Sequence, residues 1–249
     1  LPKDESGSLS IAAEQASSAL NTVIYPYLTV AAILGIVWIL ILTSKMPKAS
    51  DEDDEIHLGE TAARLLGNGN YVFSVVAQFC YVGTQISVWT YTNFYIPEQL
   101  KVTQEVALQW HTGALILFGS ARWVFTALMS RFRPSTLLIF ASIMACLMTL
   151  TVVFVGGMAG VVALVCISGF MSLMFPTIFG LGCANLGQDT KLASSGQIMA
   201  IVGGAIITPL QGWLVDEWGV SQSYLLPLAC FVVIGLYASF GRKHERQET

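Results

Sequence analysis

Seven apolar runs, each roughly 20 residues long or longer, dominate this chain and leave few folds open to it. They fall at about 25–44, 71–95, 109–130, 134–156, 159–184, 194–215 and 222–241. A helix needs roughly 20 apolar residues to cross the hydrocarbon core of a bilayer. Only 11% of the residues are charged, against about 25% in a soluble domain, so water cannot be the solvent for these runs. The polar–apolar alternation of a membrane β-barrel is absent. The fold class is therefore an all-α polytopic membrane protein with seven transmembrane helices and a lipid bilayer as its surroundings. The first run is longer than a signal-peptide core and lacks a basic segment before it, so it is expected to persist as a true span.

The polar connections set the expected organisation. Residues 1–24 form a segment ahead of the first span (25–44), and residues 45–70 form the one long polar insert. The insert contains the acidic run Asp51, Glu52, Asp53, Asp54 and Glu55, then TAARLLG at 61–67, a short helical pattern. Its plain reading is a solvated linker. It separates one span from a compact block of six (71–241), followed by a tail at 242–249. Nine of the twelve basic residues (Lys45, Lys48, Arg64, Arg131, Arg133, Lys191, Arg242, Lys243 and Arg246) fall on one side of the seven spans. Lys3 and Lys101 fall on the other, and Arg122 lies inside a span. Cytoplasmic loops carry the excess of Lys and Arg, which puts the linker and the C-terminal tail inside and residues 1–24 outside.

The candidate chemistry lies on the second span, YVFSVVAQFCYVGTQISVWTYTNFY. Gln78, Tyr81, Gln85, Trp89 and Thr92 sit at i, i+3, i+7, i+11 and i+14, one stripe at about 100° per residue, with Asn93 beside it. Polar side chains in a membrane helix face protein or water. A sugar suits such a stripe, because amides donate and accept to hydroxyls while an indole face packs on C–H surface. The competing reading is hydrogen bonding to neighbouring helices. The sixth span repeats the stripe with Gln197, Gly204, Thr208 and Gln211, and Pro209 allows a bend. In the fifth, Ser168, Ser172, Phe175 and Phe179 run past Pro176, where packing is the simpler reading.

Arg122 stands about 14 Å of helix from Arg131, deep enough to make it a candidate functional or gating charge; a structural partner for carbonyls is the alternative. No Asp or Glu falls inside a span core. Cys80, Cys146, Cys166, Cys183 and Cys230 fit no metal spacing and read as small apolar fillers. His57, His111 and His244 are scattered. No metal, cofactor or nucleic-acid partner is expected, and no nucleophile–base set or carboxylate pair can be placed for an intramembrane enzyme.

Several stretches resemble the fucose:proton symporters of the major facilitator superfamily, the group that also contains bacterial glucose/galactose transporters. They are AQFCYVGTQ (77–85), Arg122 with the Met129-Ser130-Arg131-Phe132 run, FMSLMFPTIFGLGCANLGQDTK (170–191) and GGAIITPLQGWLVD (203–216). The resemblance implies a partial major facilitator fold: the sixth helix, an inter-half linker, and the six-helix C-terminal half. It implies sugar uptake across the cytoplasmic (inner) membrane by alternating access, driven by proton co-transport, with a midplane site between halves. Proton-carrying carboxylates are then expected on the first and fourth helices of an N-terminal half, so this chain, as a fragment, would supply the C-terminal wall of the cavity. Gln78, Tyr81, Gln85, Trp89, Asn93, Gln197 and Gln211 are the candidate substrate-binding residues, Arg122 the intramembrane charge, and Pro176 and Pro209 the helix bends. The resemblance to a fucose transporter implies Tyr before the first of these prolines, whereas this chain has Phe175, which opens the substrate to a sugar other than fucose. The alternatives are a glucose/galactose or other neutral-solute permease, and a membrane sensor or scaffold that binds without moving its ligand.

Overall fold

The computed structural model describes residues 5–43 and 58–247, with side chains for 24–43 and 59–241. The acidic run at 51–55, Lys3, Lys45, Lys48 and His57 lie outside the described residues. The chain divides into two compact units, Leu1–Glu55 and Ile56–Thr249. In the first, a single helix α1 spans Glu5–Thr43 and contains the apolar stretch Ile24–Thr43. Helix thus begins well before residue 25, in a stretch where Ala12, Ala13, Ala16 and Ala19, the best helix formers, stand among several serines.

The second unit is a helical bundle. A short helix α2 (Leu58–Gly67) precedes α3 (Gly69–Leu100), α4 (Gln104–Met129), α5 (Pro134–Phe154), α6 (Gly157–Met171) and α7 (Met174–Cys183). Then come α8 (Thr190–Met199), α9 (Gly203–Trp218), α10 (Val220–Ser223) and α11 (Leu225–Gln247). With α1, seven helical stretches among the described residues are long and apolar enough to cross a membrane, matching the seven runs. Two of them are composite: α6 with α7, and α8 with α9. Helix α3 is the central post, packed against α4, α6, α7, α9 and α11, while α5 packs on α6 and α11.

Lipid tails are as apolar as Leu, so close packing and interhelical hydrogen bonds must hold such a bundle together. The α3–α9 crossing shows how. A Cβ on Gly203 would lie 2.1 Å from the Phe79 carbonyl oxygen, and one on Gly83 would lie 2.3 Å from Ile207 Cδ1. Only glycine lets the two backbones approach this closely. At one end of the bundle, Asn68 caps α3 by accepting from the amides of Asn70 (3.0 Å) and Tyr71 (3.2 Å). Nearby, Arg64 Nη2 on α2 meets Asp189 Oδ1 at 2.7 Å. At the other end Gln99 ties three elements, accepting from the Gly157 amide (2.8 Å) and donating to Ser221 Oγ (3.0 Å). The α5–α6 connection turns there through Gly156 at φ +65°, a left-handed conformation that glycine adopts without penalty.

The prolines explain where the composite spans break. Pro176 is the third residue of α7, a first-turn position where the missing N–H would have no helical partner anyway. The break therefore falls just before it, at Ser172–Leu173. Pro209 instead lies inside α9, and the irregularity in that span is a 3-10 turn at Ala200–Val202, beside Gly203 where α3 comes closest.

Candidate functional site

Helix α3 presents its polar residues to different neighbours as it ascends. Ser74, near its start, accepts a short hydrogen bond from Gln197 Nε2 on α8. One turn on, Gln78 is fully buried, and neither end of its amide has a partner. A buried polar group left unpaired costs roughly 1–3 kcal/mol, which makes Gln78 the most conspicuous polar group on this face. Tyr81, also fully buried, donates from Oη to the Met171 carbonyl at 3.0 Å. Met171 ends α6, so this bond braces the helix break ahead of Pro176. Tyr81 also meets the Phe175 ring edge-on at 6.1 Å, and Phe175 stacks on Phe179 at 6.4 Å.

Gln85 and Trp89 follow at successive turns and are half-buried. The Trp89 Nε1–H donates to buried Ser168 Oγ on α6 at 3.2 Å. An indole has a single N–H donor, so with that bond made Trp89 can offer a ligand only its ring. Phe118 on α4 packs against that ring at 5.2 Å and an interplanar angle of 82°. Arg122, one turn beyond, lies over the Phe118 ring with its guanidinium carbon 5.7 Å from the centroid. Arg122 is exposed in this unit and has no carboxylate within ion-pair distance among the described residues. It lies about 10 Å of helix before Met129, inside the apolar part of α4. Asn93 is half-buried with an unpartnered Oδ1, and Thr92 turns its hydroxyl to the Val88 carbonyl (2.6 Å).

The structure therefore brings Tyr81 and Trp89 together with α6, and Trp89 together with Arg122 through Phe118. It gives Gln197 and Gln211 packing partners: both are fully buried, the first bonded to Ser74 and the second donating to Ser223 Oγ at 3.2 Å. Each amide spends its nitrogen on packing and keeps one unpartnered oxygen. Phe118 is the residue that sequence reasoning missed. Its signal was present, an aromatic four residues before an intramembrane arginine and so on the same helix face. No Asp or Glu is buried among the described residues, and no group of three or more His, Cys, Asp or Glu could hold a metal there.

Outside the spans, Arg64 donates to Asp189 through Nε (3.1 Å) and Nη2 (2.7 Å), and Nη2 also meets Thr61 Oγ1 at 2.9 Å. The hydrogen bond to Asp189 holds the Arg64 guanidinium above its ordinary value. This fork tethers α2 to the turn between α7 and α8.

No family model matches the chain. Among characterised proteins, it is similar to the L-fucose-proton symporter of Escherichia coli, 39% identical over 221 residues, which covers 86% of this chain and 50% of that protein. The L-fucose-proton symporter of Haemophilus influenzae is 37% identical, with 85% of this chain and 51% of the relative covered. A glucose/galactose transporter of Brucella abortus is 28% identical over 90% of this chain and 54% of the relative. Two solved structures share the fold. They are a major facilitator superfamily transporter, FucP, in the outward conformation (TM-score 0.80) and the E. coli fucose:proton symporter (TM-score 0.81). Each is 38% identical and covers 87% of this chain and 54% of the solved chain. The chain spans about half the length of the curated relatives it matches.

Proposed function

We propose, with homology to the C-terminal half of the L-fucose-proton symporters as the premise, that this chain forms one wall of a sugar-conducting cavity. It works with an N-terminal half in the proton-coupled uptake of fucose or a related monosaccharide. The observation that carries this reading is the α3 face from Gln78 to Trp89. On it lie a buried amide with neither end partnered, a half-buried amide, and an indole free to offer only its ring. A hydroxylated ring needs those groups: amides for its hydroxyls and an aromatic surface for its C–H face. Arg122, a donor with no acceptor function, favours a substrate oxygen or a carboxylate from the other half. Coupling to protons requires a titratable carboxylate, and on this reading the N-terminal half supplies it. Gln197 and Gln211 act at the margin of the site, through the oxygens left unpartnered.

The excess of basic residues in the α4–α5 turn (Arg131, Arg133), on α2 (Arg64) and at the start of α8 (Lys191) supports an orientation with these connections in the cytoplasm. The C-terminus is then inside an inner membrane and the N-terminus of this chain outside. A glucose/galactose substrate is the second reading. It is favoured by the similarity to the Brucella transporter over 90% of this chain and by Phe175, where the fucose-transporter resemblance implies a tyrosine. Uptake of labelled fucose, glucose and galactose by the full gene product, with and without a protonophore, tests both readings. Protonophore-sensitive accumulation of one of these sugars is expected. Binding without accumulation would instead identify a sensor, and the absence of both would remove the sugar reading.

A further inference from the structure

Three aromatic or charged groups from two helices, plus one hydroxyl from a third, form a continuous chain: Ser168 on α6, Trp89 on α3, then Phe118 and Arg122 on α4. Each link has a defined geometry. Ser168 Oγ accepts the indole N–H at 3.2 Å. The Trp89 and Phe118 rings meet edge-to-face at 5.2 Å and 82°, within the range favoured by aromatic quadrupoles. The guanidinium lies 5.7 Å from the Phe118 centroid, within the reach of a cation–π contact. Phe118 is the one member that touches both Trp89 and Arg122.

We propose that Phe118 is a positioning residue of the sugar site, setting the Trp89 indole and the Arg122 guanidinium in one fixed relation. This inference rests on the proposed role of Trp89 as a sugar-stacking surface. Trp89 is held at its N–H by Ser168 and at its ring by Phe118, so little torsional freedom remains to it. Arg122 is otherwise a long side chain with no carboxylate partner among the described residues, and the Phe118 ring face is its one aromatic anchor. A substrate that stacks on the indole therefore meets the guanidinium donors at a set distance and angle. Removing Phe118 loosens both groups at once without deleting either. The consequence is a specificity determinant that need not touch the substrate.

The test is sugar uptake by the full gene product with Phe118→Leu, Phe118→Tyr and Trp89→Phe, measured as KM and maximal rate. Phe118→Leu should raise KM by about tenfold, one good contact in affinity, while maximal rate stays within about twofold. Phe118→Tyr, which keeps the ring, should restore KM to within about twofold of the parent. In the double variant Phe118→Leu/Trp89→Phe the two losses should be clearly less than additive. A second series keeps the shape and so the fold: fluorinated phenylalanines incorporated at position 118. Progressive fluorination drains the ring face of negative charge and should raise KM stepwise. A KM that ignores both Phe118→Leu and fluorination, while Trp89→Phe raises it tenfold, overturns the positioning role and leaves the site reading intact. A KM indifferent to Trp89→Phe overturns the site reading, and this inference with it.

Discussion

The α3–α9 crossing gives a sharp test of what holds the bundle together. Replacing Gly203 with Ala adds a Cβ 2.1 Å from the Phe79 carbonyl oxygen, 2.9 Å from its carbon and 3.1 Å from its Cα. All three atoms are backbone, so no side chain can swing away. Reaching ordinary contact at 3.4 Å means separating the helices by about 1.3 Å along that line. Over-packing of this kind costs about 1–3 kcal/mol, and the better helix propensity of Ala returns up to about 1 kcal/mol. The net expected loss is about 1 kcal/mol, or about 3 °C in apparent Tm for a chain of this size. Gly203→Val, bulkier and with less propensity gain, should lose about twice that. The control is Gly180→Ala, which meets no heavy atom within 4 Å and should hold or raise the Tm. Thermal unfolding in mild detergent, followed by tryptophan fluorescence, reads all three. If Gly203→Ala and Gly203→Val melt at or above the parent, the close approach of these backbones is not what stabilises the crossing.

Tyr81→Phe removes the hydroxyl that braces the Met171 carbonyl; interhelical hydrogen bonds in membranes average about 0.6 kcal/mol and reach about 1.7, so Tm should fall by about 2–5 °C. Gln99→Leu breaks both ties at the opposite end, and hydrogen exchange of the Gly157 amide should accelerate. Arg64→Ala should free α2 from the α7–α8 turn and speed amide exchange across α2, the effect shrinking at high salt where the fork is already screened. The charge-swapped pair Arg64→Asp with Asp189→Arg should recover part of the protection. On the transport side, Gln85→Ala should weaken sugar uptake by about tenfold with expression unchanged; full uptake would assign Gln85 to packing.

The number and class of the spans were legible in the sequence because hydrophobicity over 20 residues is a strong signal, and membrane-length helices have few alternatives. The breaks were less legible. Two prolines marked the right spans, yet the α6–α7 break falls at Ser172–Leu173 ahead of Pro176, while the irregular turn at Ala200–Val202 lies well before Pro209. The first position follows from where proline is tolerated in a helix; the second depends on the approach of α3 at Gly203, a long-range contact that no local pattern contains. Within the candidate site, periodicity grouped Gln78, Tyr81, Gln85, Trp89 and Thr92 as one stripe of a helix, and α3 is a continuous helix over these positions. It could not tell which of them spend their polar atoms on neighbours. Tyr81 gives its hydroxyl to Met171 and Trp89 its N–H to Ser168, whereas Gln78 gives nothing. The α4 partner, Phe118, escaped because its place four residues before Arg122 marks a shared helix face but not that this face meets Trp89, a contact between helices that no local pattern contains.

As one wall of a proton-coupled sugar path, this chain is proposed to hold Trp89 at the substrate. Uptake of labelled fucose, glucose and galactose by the full gene product, compared with its Trp89→Ala variant at equal membrane abundance, tests it most directly. Accumulation of at least one of these sugars is expected, collapsed by a protonophore and weakened about tenfold or more by the substitution. Accumulation that Trp89→Ala leaves unchanged, or no accumulation of any of the three, would contradict it.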